Sequence, residues 1–558
     1  MLAGLLAALP LRGADAPRVP GSPYPTAPIP DTVFLVADDG FPEAQRLIVE
    51  SLQGSLSGSS AIYRTRTGGY ALWQEEFSRP GGPVIAKDFQ RDFPGLLRHY
   101  RTSLRGYVLC DLHTPSANAA ISLCGTMRTP AGGVIAATTT DAALLDGLGL
   151  PRLADARGHD EAWALAAYPE AFNHHIVVYQ DTGKDLFLGD YSVFAGALHF
   201  SASLGSPLLA AALGRMRGQA VLLGWGDDEF NLVASASKAS VQVHAADWVL
   251  NLSTLSRFAA ATVQVPMPAA DSVGAGKHTV CFLMSDGDNL QWALGGFAAP
   301  GGKWYGNPSR GKLAMGWTMA PSLAELAPTA LARLYRTASV TPGARDHFVA
   351  GPSGAGYIFP EAFAALDSAA VLTARCMAKA DMRILNVLGN DPADKYLHPF
   401  LKLPGIDAIL FYPYSDYSGL RGSIRFLDGK PVIGGFANLW EGMETPASLA
   451  VRLNARPKDP RSAEGYSLIP VHAWSRTLAD VEACAALLGP DVRVVAPDEF
   501  VRAIRANLGS GIAIRVPKIA KPARSGAMGG SFRRGGRVFQ SDGRQAPRAV
   551  PSRTRRAP

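Results

Sequence analysis

Hydrophobic and polar positions change period repeatedly along this chain. Short apolar runs of strand length, such as TVFLVA from Thr32, alternate with stretches of helical spacing such as PEAQRLIVESLQGSL from Pro42. The alternation continues through GYVLCDL and GVIAATT, so residues 31–155 read as an N-terminal α/β region of one or two small subdomains. A further α/β domain follows over 156–265. It carries strands HHIVVYQ, AVLLGWG and SVQVHAA, with a helical ASLGSPLLAAALGRMRG among them. His174 and His175 open a strand there and do not read as a metal pair. Residues 266–276 are rich in small side chains and suit a linker.

The last unit has the plainest rhythm. Eight apolar runs succeed one another: HTVCFLMS, KLAMGWTM, HFVAG, RILNVLG, DAILFYP, PVIGGFA, YSLIPVHAW and VRVVAP. Helical segments separate them, as parallel strands require, because a parallel crossover needs a dozen or more residues. Eight strands in about 230 residues approach the ~250 typical of a closed β/α barrel. The pattern therefore predicts an α/β protein with a C-terminal (β/α) barrel-like domain over 278–507, preceded by smaller α/β domains. A doubly wound open sheet is the alternative. GSIRFLDGKP predicts a hairpin before the sixth strand.

Composition narrows the class. Of 558 residues, 47% are hydrophobic and 18% charged, the balance of a packed globular protein. Beyond the N-terminus no uncharged apolar run approaches the ~18 residues of a membrane span, which excludes a polytopic membrane protein. The net charge of +7 misleads. Residues 515–558 hold 12 Lys/Arg and one acid, Asp542; without them 42 basic residues face 46 acidic ones. The body thus offers no electrostatic case for a nucleic-acid partner. The basic tail, 508–558, reads as disordered, with an anionic surface as its only suggested partner. Residues 1–16, MLAGLLAALPLRGADA, resemble a signal peptide ending in Ala-Asp-Ala, which predicts a secreted or periplasmic protein with a linker over 17–30. The five cysteines form neither a disulfide scaffold nor a metal pattern; Cys110 and Cys124 would pair only if their strands adjoin.

Candidate chemistry collects where the fold predicts it. In either architecture, reactive groups lie beyond the C-terminal ends of the strands. There the sequence places Asp286, Asp288 and Asn289, then Trp317, then Tyr357, Asp391 and Asp416, and finally Trp440, Glu441, His472 and Trp474. Asp286, Asp288, Glu441 and His472 are the catalytic candidates, and the remainder are candidates for substrate contact. Carboxylates beside flat aromatic faces are what a sugar-binding cleft needs. Each has a plainer reading: SDGDN as an Asx turn, Glu441 as a helix-initiating acid, His472 as a satisfied core histidine. Asp286 and Asp288, two apart, would point to one side of an extended chain.

Four separated motifs, FLMSDGDNLQW, GWTMAPSLAELAP, RDHFVAGPSGAGYIFP and VHAW, resemble in their order the GxGYxYP family of putative glycoside hydrolases. The naming motif falls on Gly354–Pro360, with Phe359 replacing its second tyrosine. YQDTGKDLFLGDY and ADWVLNLSTLS are similar to that family's N-terminal domains. The resemblance implies a multidomain exported bacterial protein with a barrel-like C-terminal domain; taken with the strand-end carboxylates, it predicts action on a polysaccharide or oligosaccharide through paired carboxylates, without a cofactor. Alternatives are a non-catalytic carbohydrate-binding surface protein with a degenerate barrel and a metal-dependent polysaccharide deacetylase. The deacetylase ranks lowest, because a divalent cation at Asp286 and Asp288 would need a close histidine pair and His347, His398 and His472 are scattered. A serine nucleophile lacks its GxSxG elbow.

Overall fold

The computed structural model describes residues 18–56, 60–264 and 276–509. The apolar N-terminal stretch, the small-residue linker and nearly all of the basic tail lie outside those residues. The region 31–155 holds two three-stranded parallel sheets. One contains β1 (Thr32–Val36), β2 (Ser60–Arg64) and β3 (Val84–Ala86) in the order β2-β1-β3. The other contains β4 (Leu104–Leu109), β5 (Gly133–Ala137) and β6 (Arg152–Asp155) in the order β5-β4-β6. A third unit orders β7 (Ile176–Tyr179), β8 (Leu198–Phe200), β9 (Ala220–Gly224) and β10 (Val241–His244) as β10-β9-β7-β8, all parallel.

The C-terminal unit carries all eight expected strands: β11 (His278–Met284), β12 (Met315–Met319), β13 (Asp346–Ala350), β14 (Ile384–Gly389), β15 (Ala408–Pro413), β17 (Lys430–Gly434), β18 (Tyr466–Val471) and β19 (Val492–Val494). The extra strand β16 (Ile424–Leu427) pairs antiparallel with β17, forming the expected hairpin. The sheet curls. Beyond β17 the chain forms parallel bridges Gly435↔Leu468 and Leu439↔Val471, which carry it to β18 and so back to β11. Every residue of β11 is buried, as a strand covered on both faces must be. Val280, Phe282 and Met284 join a core with the helix residues Leu331, Leu334 and Leu449. The alternate residues Cys281 and Leu283 pack with Leu410, Leu468 and Phe500. Phe500 belongs to the last helix, Pro497–Leu508, which touches β11, β13 and β17 and so fills the concave side.

One expectation changes here. Residues 18–30 are not a free linker but a strap. Tyr24 is 1% exposed and its hydroxyl pairs with His244 Nε2 at 2.8 Å, while Ser22 donates to Glu325 at 2.7 Å. A Pro-rich composition read as a spacer, but one tyrosine with a buried partner is enough to dock it. Cys110 and Cys124 are buried free thiols, as are the other three cysteines.

The first and third units share a buried charge knot. Arg64 lies against Asp38 and Glu50, and the Glu50 Oε1 accepts from the Gly189 amide at 2.7 Å. Burial raises Glu50 from 4.5 to about 8, against the lowering pull of Arg64. An acid that keeps its proton when folded but ionises when unfolded loses stability as pH rises through that interval. Glu50→Gln should therefore flatten the fall in unfolding free energy between pH 4.5 and about 8, read by denaturant titration across pH.

Candidate active site

The SDGDN segment is both a turn and a carboxylate cluster. Gly287 donates to Thr318 Oγ1 at 2.9 Å and its carbonyl accepts from Ala320 at 2.7 Å, pinning the turn against β12. A Cβ on Gly287 would lie 1.9 Å from the Thr318 carbonyl oxygen, so only glycine fits. Asp286 adopts φ +69°, a left-handed conformation that Asp tolerates better than most residues. The chain is therefore not extended between the two aspartates, yet their charges still meet.

Asp286 is half-buried; its carboxylate accepts from the Ser285 hydroxyl, whose oxygen accepts from the Ala473 amide at 3.4 Å. The Trp474 side chain and Ala473 amide lie near enough to favour its ionised form. Burial nevertheless raises its pKa, the three donors opposing. Asp288, 6% exposed, is pushed well above the usual carboxylate range by burial, then by the charges of Asp286 and Glu229.

A second carboxylate, near enough to feel the Asp286 charge, comes from another domain. β9 ends at Gly224, and the helix Glu229–Lys238 begins after Asp228, which caps it by accepting from Asn231 N at 3.1 Å. Glu229, its first residue, accepts from the Tyr357 hydroxyl at 3.0 Å. Burial first, and then the Asp286 charge, raise Glu229 from 4.5 to about 7, while the Tyr357 bond pulls the other way. Two carboxyl groups in unlike surroundings thus have different proton affinities, the arrangement that separates an acid from a base.

The Gly-rich motif explains how the two domains meet. Tyr357 and Val243 of β10 exchange backbone hydrogen bonds of 2.7 and 3.0 Å as an isolated antiparallel bridge. Gly356 donates to Gln242 Oε1 at 2.9 Å and Phe359 to Ser237 Oγ at 3.1 Å. Gly354 has φ +119°, and a Cβ there would sit 2.4 Å from Thr373 Oγ1. The segment laces the barrel to the third unit and delivers Tyr357 to Glu229. A Cβ on Gly356 would reach Gln242 Cβ and the Val243 oxygen at 3.0 Å. We predict that Gly356→Val costs ~1–3 kcal/mol by overpacking this seam. Denaturant titration reads that loss, and an unchanged midpoint would refute the lacing.

Aromatic rings surround the carboxylates. The Tyr417 hydroxyl is raised by burial and by Asp286, Glu229 and Asp288. Tyr417 stacks on Tyr412 at 5.2 Å and meets Trp440 edge-on at 5.2 Å. Trp440 lies flat on His472, with centroids 3.5 Å apart and planes 6° from parallel. Trp474 meets Trp292 at 5.5 Å.

The structure thus brings Asp286, Asp288, Tyr357 and Trp474 together, with Trp440 and His472 behind Tyr417. Other candidates sit elsewhere. The exposed Glu441 uses its backbone amide to meet Ser475 Oγ, and no interaction of this cluster involves its carboxylate. His472 is driven down to about 3 by burial and then by Arg476, so it is a neutral ring bonded through Nδ1 to Ser475. Trp317 is fully buried beside Phe297 and Tyr305 and donates to Asp346 at 2.9 Å, which makes it a core residue closed to substrate. Asn289 is a helix cap, accepting from Trp292 N at 2.9 Å. Asp391 accepts from the Ala393 amide in a turn, and Asp416 accepts from Ser418 and from Asn438 Nδ2. Among the described residues, no group of three or more His, Cys, Asp or Glu is arranged to hold a metal ion.

Glu229 escaped the sequence reading, although WGDDEF follows the strand AVLLGWG just as SDGDN follows HTVCFLM. The strand-end rule was applied to the barrel alone.

Three family profiles match consecutive parts of the chain. Residues 276–505 match the "GxGYxYP putative glycoside hydrolase C-terminal domain", 174–257 the GxGYxYP third domain, and 104–172 the GxGYxYP_N second domain. The chain belongs to the GxGYxYP family. In this GxGYxYP protein the naming motif is the lace between barrel and third domain, and Phe359 takes the second tyrosine's place among Tyr357, Phe230 and Tyr414, at 5.2–5.6 Å. The protein is also similar, at 26% identity and a TM-score of 0.79, to the crystal structure of "a putative hydrolase from Bacteroides thetaiotaomicron VPI-5482", over 90% of this chain and 98% of that one. No curated protein matches it.

Proposed function

We propose that the protein is a glycoside hydrolase in which Glu229 is the general acid and Asp286 the second carboxylate. One observation carries this reading. Burial and the neighbouring Asp286 charge raise Glu229 to about 7, while the Asp286 carboxylate accepts from the Ser285 hydroxyl. In such a pair, Glu229 gives its proton to the glycosidic oxygen as the C–O bond breaks. Asp286 stabilises or captures the positive sugar carbon, or takes a proton from the attacking water. Water enters at the anomeric carbon, and a reducing sugar (a hemiacetal) and an alcohol leave. Asp288, whose hold on its proton burial and the Asp286 charge strengthen, is placed to offer a hydrogen-bond donor beside Asp286. Tyr357 positions the Glu229 carboxyl through its hydroxyl.

The test is a glycan-panel incubation with detection of new reducing ends. Wild type is expected to release them, and Asp286→Asn to lose turnover while keeping glycan affinity. A wild type that binds a glycan and never cleaves it would replace this reading with a sugar-binding one.

A further inference from the structure

We infer that Phe230 and Tyr414 form an aromatic platform beside Glu229 that binds an uncharged pyranose ring of the glycan; this names a subsite of the proposed hydrolase and rests on that reading. Phe230 follows Glu229 directly on the helix Glu229–Lys238, and it is 41% exposed. A lone exposed apolar residue needs no explanation. This ring is not alone. It lies 5.2 Å from Phe359 and 5.3 Å from Tyr414, and both rings belong to the cluster that holds Tyr357 against Glu229. Phe359 is fully packed and backs the platform, whereas Tyr414 is half-buried and keeps part of its ring open. Tyr414 also meets Phe359 at 5.5 Å, and Phe359 meets Tyr357, whose hydroxyl donates to Glu229 at 3.0 Å, which places the platform beside the acid. A ring already fixed by its neighbours loses little freedom when it stacks on the C–H face of a sugar.

Charge selects which sugar. The groups that act on Glu229, Asp286 and Asp288 are one another, Asp228, and hydroxyl, indole or amide donors. Among the described residues no Lys or Arg shifts any of the three. A uronate or sulfated ring on the platform would face these acids with no cation to offset the repulsion, and a neutral ring would not.

The experiment measures glycan binding by calorimetry in the Asp286→Asn background, so that cleavage does not intervene. Neutral oligosaccharides are compared with uronate-bearing and sulfated ones. Phe230→Ala should weaken the neutral ligand about tenfold, and Phe230→Tyr should restore it, with thermal stability unchanged in both. Equal affinity in Phe230→Ala, preference for an acidic glycan, or no binding to any panel member would each overturn the platform. Turnover by the parent chain is scored separately. Binding through Phe230 without cleavage leaves the platform standing and removes the hydrolase. Cleavage that is indifferent to Phe230 does the reverse.

Discussion

Glu229→Gln is expected to lower glycan turnover by about 10²–10⁴-fold, the usual worth of a positioned general acid. The amide still fills the site and still accepts from the Tyr357 hydroxyl, so the loss should fall on the chemical step rather than on folding. The pH profile makes the assignment specific. Only protonated Glu229 can donate, so kcat/KM should fall as pH rises through about 7. The neighbours set where that fall occurs. The Tyr357 hydrogen bond favours the ionised form, so Tyr357→Phe should move the alkaline limb to higher pH. The Asp286 charge favours the protonated form, so in Asp286→Asn the Glu229 carboxyl should titrate lower, as carbon-13 NMR of labelled glutamate would show. A limb that stays put in Tyr357→Phe and persists in Glu229→Gln would belong to another group.

The barrel was legible because parallel strands buried on both faces read as nearly continuous apolar runs, and helices must separate them. His278–Met284 and Ala408–Pro413 could scarcely be anything else. Asp286 and Asp288 were legible for a related reason, since strand ends on one side of a sheet share one surface. Trp317 was misplaced because the last residues of a strand and the first residues of its loop look alike in sequence. Two residues of strand, about 7 Å of rise, separate a core indole hydrogen-bonded to Asp346 from the end of β12. Glu441 was misplaced because proximity to Trp440 in sequence says nothing about which side its carboxylate faces. Glu229 was invisible for a deeper reason. Its partner Tyr357 lies 128 positions away in another domain, and the link depends on a two-hydrogen-bond bridge between β10 and a glycine-rich loop. Nothing in periodicity records such docking, because backbone pairing between domains leaves no alternation in either segment. The strap through Tyr24 was hidden because single side-chain bonds, Tyr24 to His244 and Ser22 to Glu325, dock it, and a Pro-rich run announces neither.

Arg64→Met is expected to destabilise the protein by ~3–5 kcal/mol, the cost of stranding a buried charge when its partner is removed. The Arg64 side chain is 2% exposed and that of Asp38 is fully buried, with Nε donating to Asp38 Oδ2 at 2.7 Å. Its Nη1 donates to the Leu186 carbonyl at 3.1 Å, and its backbone amide donates to Asn251 Oδ1 at 2.7 Å. Leu186 and Asn251 belong to the third unit, so Arg64 ties the first unit to the domain that carries Glu229. Methionine fills comparable volume but satisfies neither Asp38 nor Leu186. Arg66, which also pairs with Asp38, is more exposed and offsets only part of the loss. The pH dependence separates this cause from simple loss of packing. In the wild type the arginines outweigh burial and hold Asp38 below its usual 3.8, so the pair stabilises the fold above that pH and ceases to do so as pH falls. Without Arg64 burial dominates, Asp38 takes up its proton more readily, and acid relieves the stranded charge. The gap between Arg64→Met and wild type, measured by denaturant titration, should therefore narrow as pH drops from 7 toward 4. A gap that stayed constant across that range would assign the loss to packing. Adding Asp38→Asn to Arg64→Met should recover part of the stability at pH 7, because the buried charge that the first substitution stranded is then gone.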